Sequence, residues 1–342
     1  MSDADWMRLA LEEARKGIGK TAPNPPVGAV LVQDGECIGK GWHRAAGQPH
    51  AEREALADAR EQHGEEAIRG ATLYITLEPC STTGKTPPCT EGIIEAGISR
   101  VVYACVDANA DHAGRADKLL AEAGIEVESG VLADEAQTIL RPFFKVQRTG
   151  LPWVIWKTAM SLDGRLTRPA GEGQWLTSKE ARTDVQVLRS QVDAILTTGE
   201  TVRRDQPALT IRRQELLEGR NPPWRVIFSG QPDSLPKDAP LLSDEHCERT
   251  LIRPREDLEG SLRQLVEQQG VLSCMTEAGG VFSAALLEAG LVDEVVVYLA
   301  PMLCGGGNPA LAGEGLLASI KLQEIEYQKI GCDVRMRALV RH

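Results

Sequence analysis

Short apolar runs and amphipathic stretches succeed one another through the first part of the chain. Apolar residues at helical spacing predict helices at residues 5–16, 50–62, 88–96 and 116–123. Apolar or alternating runs between them predict strands at residues 27–32, 37–43, 71–77, 100–105 and 125–130. Asp34-Gly35 predicts a hairpin turn between the first two strands. Strands that alternate with helices indicate an α/β fold built around a sheet.

The pattern breaks at residues 141–152, and a second series of elements follows. It predicts helices at 178–191, 257–269 and 280–289, and strands at 153–161, 193–199, 224–230, 270–277 and 293–301. The chain then ends in further predicted strands. Since domains average ~150 residues, a chain of 342 residues suggests two of them. We place the boundary so that residues 1–147 and 148–342 form separate α/β domains.

The charge of the chain limits its partners. The formal net charge is −11, and nucleic acid needs a positive surface, so we expect no nucleic acid as a partner. No apolar run approaches the ~18 residues of a membrane span, and the acidic N-terminus lacks the features of a signal peptide. The eight cysteines are scattered, which is typical of reduced thiols or metal ligands. We therefore predict a cytoplasmic protein with no membrane partner.

A histidine, a glutamate and two cysteines stand at the ends of predicted elements. His50 and Glu52 open the second helix, Cys80 follows the strand at 71–77, and Cys89 begins the next helix. One imidazole and two thiolates suit zinc and leave its fourth position for water. Zinc lowers the pKa of that water to roughly 7, and a carboxylate that is not a ligand can carry the proton to a leaving nitrogen. We therefore predict a zinc site with Glu52 as the proton carrier.

The same residues carry a resemblance to a known family. The segments "PNPPVGAV" (23–30), "GWHRAAGQPHAE" (41–52) and "TLEPCSTTGKTPPC" (76–89) resemble the deaminase domain of the bifunctional deaminase–reductase family of riboflavin biosynthesis. The resemblance implies a cytidine-deaminase-like three-layer α/β domain.

The resemblance also implies substrate contacts in this domain. Asn24 and His43 would line the pyrimidine pocket, and Lys85 would contact the substrate phosphate. Turn capping or packing would be the ordinary role of the first two residues, and a solvated surface position that of the lysine. The chain departs from the family at Thr82 and Thr83, where histidine is common, and at Lys85, where arginine is usual.

The second half has no GxGxxG motif after a strand, which argues against a Rossmann domain. The segments "KTAMSLDGR" (157–165), "DAILTTGETVRRDQPALTIR" (193–212) and "LLEAGLVDEVVVYLAPMLCGG" (286–306) instead resemble the reductase domain of the same family. The resemblance implies a dihydrofolate-reductase-like α/β domain that uses NADPH.

Roles in this half follow from the resemblance. The catalytic residues would be Lys157, Asp205 and Glu277. The substrate would contact Gly173, Arg189, Leu209, Arg212 and Glu277, with both arginines on its phosphate. The cofactor would contact Ala159, Trp175, Thr177, Thr201, Asp205, Ser229, Gly279 and Gly280. Apart from the family, Trp175 would be expected in the core and Arg189 on a solvated helix face. Ala278, where the family often has glycine, would be strained if its backbone needed a positive φ.

We interpret the chain as a bifunctional enzyme of riboflavin biosynthesis. Zinc-dependent hydrolytic deamination of 2,5-diamino-6-(5-phosphoribosylamino)pyrimidin-4-one would precede NADPH-dependent reduction of its ribosyl group to a ribityl chain. The resemblance also implies a homodimer or homotetramer. Two alternatives stay open at this point: a tRNA deaminase with an accessory domain, and a catalytically decayed module that keeps zinc for structure. The net charge argues against the first, and the presence of Glu52 argues against the second.

Overall fold

The computed structural model describes residues 1–82, 88–108, 114–313 and 316–341. The chain divides into two units, Met1–Thr149 and Gly150–His342. Each unit is an α/β structure with its own sheet, as the alternating pattern predicted. Within the described residues, no helix combines the length and apolar character needed to cross a bilayer.

The first unit alternates strands and helices. Its helices are α1 (Asp3–Arg15), α2 (Ala51–His63), α3 (Cys89–Glu95), α4 (Arg115–Glu122) and α5 (Ala133–Thr149). Its strands are β1 (Gly28–Gln33), β2 (Glu36–Trp42), β3 (Thr72–Leu77), β4 (Arg100–Cys105) and β5 (Glu126–Ser129). The strand order is β2-β1-β3-β4-β5. The hairpin β1–β2 is antiparallel, as is the pair β1–β3, whereas β3, β4 and β5 run parallel.

The two faces of this sheet are covered by different helices. Alternate residues such as Ala29, Leu31 and Tyr103 face a core that α2, α3 and α4 complete. Helices α1 and α5 contact each other and the strands from the opposite side. Because side chains alternate across a strand, this arrangement gives three layers with the sheet in the middle.

The second unit contains a larger sheet. Its helices are α6 (Lys179–Ser190), α7 (Gly199–Asp205), α8 (Pro240–Ser243), α9 (Leu258–Gln269) and α10 (Gly280–Glu288). Its strands are β6 (Trp153–Ser161), β7 (Ala194–Thr198), β8 (Trp224–Phe228), β9 (Thr250–Arg253), β10 (Ser273–Thr276), β11 (Glu294–Ala300), β12 (Leu322–Ile330) and β13 (Asp333–Val340). The strand order is β12-β13-β11-β6-β10-β7-β8-β9.

The central strands of this sheet are parallel, and only β13 and β12 add antiparallel pairs at one side. Helices α9 and α10 cover one face, through residues such as Leu262 and Phe282. Helices α6, α7 and α8 cover the other face, where Val185 and Met275 are buried. The carboxyl ends of parallel strands meet at one edge, which is where such sheets bind ligands.

The predicted break at residues 141–152 is wrong over its first part. Helix α5 continues through Pro142 to Thr149. Its apolar residues Ile139, Leu140, Phe143 and Phe144 recur at helical spacing and are buried. Burial of this stripe outweighs the cost of a proline inside a helix, which is about 3 kcal/mol. Helix α5 was not predicted, and neither were the short elements α7, α8 and β9, which are too short to show a clear period.

Candidate active sites

Three predicted metal ligands come together beside the first sheet. His50 is the N-cap of α2, Cys80 lies just beyond β3, and Cys89 is the first residue of α3. The His50 Nδ1 atom lies 3.6 Å from the Cys80 Sγ and 3.3 Å from the Cys89 Sγ. Around a tetrahedral zinc ion, bond lengths of about 2.3 Å to sulfur and 2.0 Å to nitrogen place such atoms about 3.5 Å apart. The residues therefore fit zinc.

The ligand group suits an open metal site. Within the described residues the group consists of this histidine and these two cysteines, with no fourth protein ligand. Hydrogen bonds from Cys89 and His50 lower the pKa of the Cys80 thiol to about 4, against the effect of burial. The backbone N–H of Cys89 also donates to the Cys80 Sγ at 3.3 Å. The lowered pKa favours the thiolate form of Cys80, which is the form that binds metal, and the same pairing raises the pKa of Cys89.

Glu52 lies beside the ligands without being one of them. It occupies the first turn of α2 and is only 4% exposed. Burial, the largest effect, raises the pKa of its carboxyl group, and its side chain hydrogen-bonds with Cys89. A buried carboxyl group with a raised pKa can accept and return a proton at neutral pH.

His43 and Asn24 form a hydrogen-bonded pair next to this group. The Nδ1 of His43 lies 3.0 Å from the Pro49 carbonyl oxygen, which can only accept, so Nδ1 carries the hydrogen. The Nε2 then accepts from the Asn24 side-chain amide at 3.0 Å, which leaves the Asn24 Oδ1 available to a donor. Burial lowers the pKa of His43, and its ring meets the His50 ring edge-on at 5.4 Å. His43 is therefore a neutral residue that orients Asn24.

Three further residues of this unit bear on the site, namely Thr83, Lys85 and Glu78. The predicted phosphate ligand Lys85 lies outside the described residues, as does Thr83. Glu78, which our reading of the sequence did not single out, is buried two positions before Cys80. Its carboxylate accepts the backbone N–H groups of Asp107, Gly114 and Ala116 at 3.1 to 3.2 Å. The only sequence signal for this role is an acidic residue at the end of an apolar strand.

A largely buried ion cluster lies at the carboxyl ends of the strands of the second sheet. Lys157 lies in β6, and Glu277 directly follows β10 on the neighbouring strand. Arg189 of α6 donates to both carboxylate oxygens of Glu277, at 2.6 and 3.0 Å, while the Lys157 Nζ lies 3.6 Å away from one of them. The side chains of all three are 12 to 14% exposed. Arg189 is thus no solvated helix residue.

The cluster fixes the charge states of its members. Burial would raise the pKa of Glu277, but Arg189 and Lys157 outweigh it and bring the pKa to about 2. Burial lowers the pKa of Lys157, and Arg189 adds to that effect while Glu277 opposes it. The ammonium also lies 5.9 Å from the centre of the Tyr298 ring. A lysine with a lowered pKa beside an ionised carboxylate is suited to moving protons.

The end of α7 and the segment after it carry three further predicted residues. Asp205 ends α7 with an exposed side chain and is not part of the ion pairs of the cluster. Leu209 has a φ of 49°, and its side chain is buried in the core, so only its backbone is available to a substrate. Arg212 has an exposed side chain.

The predicted cofactor residues lie around the strand ends. Ala159 is in β6, Thr201 lies in the first turn of α7 after β7, and Ser229 directly follows β8. Thr177 accepts a hydrogen bond from Arg182 at its carbonyl. Trp175 is 53% exposed with the Arg182 guanidinium over its ring, so a core role is wrong for it.

Glycines shape the remaining positions of this site. Gly279 caps α10, and Gly280 is its first residue. A Cβ at Gly280 would lie 2.3 Å from the Pro309 carbonyl oxygen, whereas one at Gly279 would meet nothing within 4 Å. Gly173 has a φ of 95° and open space around it. Ala278 is not among the residues with positive φ, so the strain considered for it does not arise.

Family models match both halves of the chain. The model described as the cytidine and deoxycytidylate deaminase zinc-binding region matches residues 1–105. The model described as the RibD C-terminal domain matches residues 152–336.

Curated relatives match across nearly the whole chain. The riboflavin biosynthesis protein RibD of Escherichia coli is 42% identical and covers 98% of both chains. RibD of Haemophilus influenzae is 40% identical over 98% of this chain and 96% of its own. If the chain were a nucleic-acid deaminase with an unrelated second domain, we would not expect relatives of this kind to match both halves.

Solved structures are also similar to this chain over nearly its whole length. Acinetobacter baumannii RibD has a TM-score of 0.90 at 36% identity, with 99% of both chains covered. A diaminohydroxyphosphoribosylaminopyrimidine deaminase/5-amino-6-(5-phosphoribosylamino)uracil reductase from Thermotoga maritima has a TM-score of 0.86 at 31% identity, again with 99% of both chains covered.

Proposed function

Because this chain belongs to the RibD family of riboflavin biosynthesis proteins, we propose specific roles for the residues of its two sites. The chain is a bifunctional enzyme with a zinc-dependent deaminase domain and an NADPH-dependent reductase domain. The two substrates we propose are those in the name of the Thermotoga relative. The boundary predicted between residues 147 and 148 falls in the last turn of α5, two residues before the division into units, so we propose that the domains divide between Thr149 and Gly150.

In the deaminase, His50, Cys80 and Cys89 would hold zinc. When bound there, zinc makes water nucleophilic at neutral pH. Glu52 takes a proton from that water and delivers it to the departing amino group, so that water replaces the C2 amine and ammonia leaves. Asn24, oriented by His43, accepts a hydrogen bond from the pyrimidine through its Oδ1. The observation that carries this role for Glu52 is its burial beside the ligand group without belonging to it.

In the reductase, the Lys157–Glu277 pair would handle the protons of ribose ring opening. The C1–O4 bond breaks, the ring oxygen gains a proton and the glycosidic nitrogen loses one, so that C1 and the nitrogen form an imine. When bound, NADPH would supply the hydride that reduces C1, and one proton returns to the nitrogen. Asp205 would assist from the end of α7.

Binding of substrate and cofactor would involve the remaining predicted residues. Arg189 and Arg212 would bind the substrate phosphate, with Gly173 and the Leu209 backbone beside it. NADPH would lie along Ala159, Trp175, Thr177, Thr201, Ser229, Gly279 and Gly280. Lys85 stays a prediction for the phosphate of the first substrate, as do the homo-oligomer and the cytoplasmic location.

A coupled assay tests the proposed function. The protein is given the diaminopyrimidine nucleotide with NADPH, and released ammonia is followed together with absorbance at the nicotinamide band. We expect ammonia first and NADPH oxidation after it in equal amounts. Zinc in the protein without either product would favour the decayed module. Ammonia from tRNA, falling steeply with salt, would favour the nucleic-acid deaminase.

A further inference from the structure

The segment 206–212, which we call the arm, has an unusual backbone for its sequence. Gln206 and Leu209 have φ angles of 43° and 49°, a region that non-glycine residues rarely adopt. Such residues persist only where their surroundings hold them in place. The arm also carries Arg212, the proposed phosphate ligand, at its far end.

Buried side chains hold the arm from the protein interior. Leu209 and Ile211 are each 4% exposed. Between them, the Thr210 carbonyl accepts a hydrogen bond from Arg189 at 2.7 Å. The Ala208 carbonyl accepts one from the buried Arg225 at 3.1 Å. Leu209 and Ile211 are thus anchored by side-chain burial, and Ala208 and Thr210 by backbone hydrogen bonds.

Gln186 supplies the last of these anchors. It lies on α6, is 4% exposed, and its Oε1 accepts the Arg212 backbone N–H at 2.7 Å. Residues three apart share a helix face, so Gln186 and Arg189 meet the arm from the same side of α6. Arg189 holds Glu277 as well. Helix α6 therefore fixes the starting point of the exposed Arg212 side chain with respect to the ion cluster.

We propose that Gln186 is a positioning residue for phosphate recognition in the reductase, because it holds the backbone from which the Arg212 guanidinium reaches the substrate. The inference rests on the proposed function of Arg212 as a phosphate ligand. Gln186 touches no substrate itself. Without the Gln186 Oε1, the backbone N–H of Arg212 would hydrogen-bond to water instead. The backbone from which the Arg212 guanidinium extends would then no longer be held in one place.

Substitution of Gln186 by methionine tests this, since methionine keeps the length of the side chain and removes the acceptor. The reductase is assayed with 5-amino-6-(5-phosphoribosylamino)uracil and with the nucleoside analogue that lacks the phosphate. We expect KM for the phosphorylated substrate to rise at least about fivefold, the equivalent of about 1 kcal/mol for one hydrogen bond, with kcat within about twofold. The analogue should keep its KM.

Three companion variants make the test decisive. Gln186→Glu keeps an acceptor oxygen and should restore the wild-type KM. Gln191→Met, at the exposed end of α6, should change nothing. Arg212→Ala should abolish the preference for phosphate and make Gln186→Met silent in the double variant. If Arg212→Ala abolishes that preference and Gln186→Met preserves it, the inference fails while the proposed function stands. If Arg212→Ala itself preserves the preference, the phosphate role of Arg212 fails, and the inference with it.

Discussion

Substitution of Glu52 by glutamine should separate zinc binding from catalysis. Glutamine has the shape of glutamate but cannot carry a proton, and Glu52 is not one of the three residues whose ligand atoms converge. The titratable groups around it are already engaged. His50, Cys80 and Cys89 are the proposed ligands, and His43 uses both ring nitrogens in hydrogen bonds. Among the described residues, no neighbouring titratable group is therefore left to replace Glu52 as the proton carrier.

The size of the effect follows from this lack of a substitute. General acid–base catalysis contributes about 10²- to 10⁴-fold, and each tenfold loss corresponds to about 1.4 kcal/mol in the barrier. Because Glu52 would act twice, on the water and on the leaving group, we expect the upper part of that range. Ammonia release should fall at least about a thousandfold. Zinc content should stay at one ion for each chain.

The second domain provides the control. Reduction of the deaminated substrate by the same Glu52→Gln protein should proceed at the wild-type rate, which would show that the chain is folded. Zinc is measured by emission spectroscopy, ammonia by a coupled dehydrogenase, and NADPH by absorbance. Turnover within about tenfold of wild type would refute the role of Glu52. Loss of zinc in proportion to loss of activity would refute its position outside the ligand set.

Two further predictions concern the reductase. Glu277 has a pKa of about 2 in the folded protein against an ordinary value of 4.5, so its ionised form stabilises the fold above pH 4.5 and loses that contribution as the pH falls toward 2. The advantage of wild type over Glu277→Gln in unfolding free energy should therefore shrink by about 2 kcal/mol between about pH 5 and pH 3 in urea titrations, and a constant difference would contradict the ion cluster. Gly280→Ala should lower stability by about 1–3 kcal/mol, because its Cβ would meet the Pro309 carbonyl at 2.3 Å. In melting curves without cofactor, Gly279→Ala is the matched control and should melt like wild type; equal melting of both variants would contradict the close approach.

The metal site was predictable because its residues lie at boundaries that the hydrophobic pattern marks. His50 and Cys89 lie where predicted helices begin, and Cys80 lies just past a predicted strand. The α/β arrangement of these elements is then enough to bring the three side chains together. The role of Glu78 could not be predicted in the same way, since its partners are backbone N–H groups of a loop. Backbone donors leave no trace in residue identity.

The reductase cluster shows the other limit of sequence reasoning. Arg189 and Glu277 are 88 positions apart, and only the order of the strands brings them together. Helical periodicity placed Arg189 on a helix but could not tell a solvated face from a buried ion pair. For Trp175 the error runs the other way. Apart from the family, a large aromatic residue is expected in the core, but this one is exposed. Both errors concern tertiary contacts rather than local structure.

The net charge of the whole chain differs in sign from the local charge at this cluster. A net charge of −11 argued against nucleic acid, yet the proposed substrates carry phosphate. Exposed carboxylates more than about 10 Å away are screened by salt, whereas buried charges are not. Lys157 and Arg189 surround the single carboxylate of Glu277, so the buried cluster keeps one positive charge in excess. A local excess of positive charge of this kind can bind one phosphate group in an acidic protein. It cannot neutralise the many phosphates along a nucleic-acid backbone.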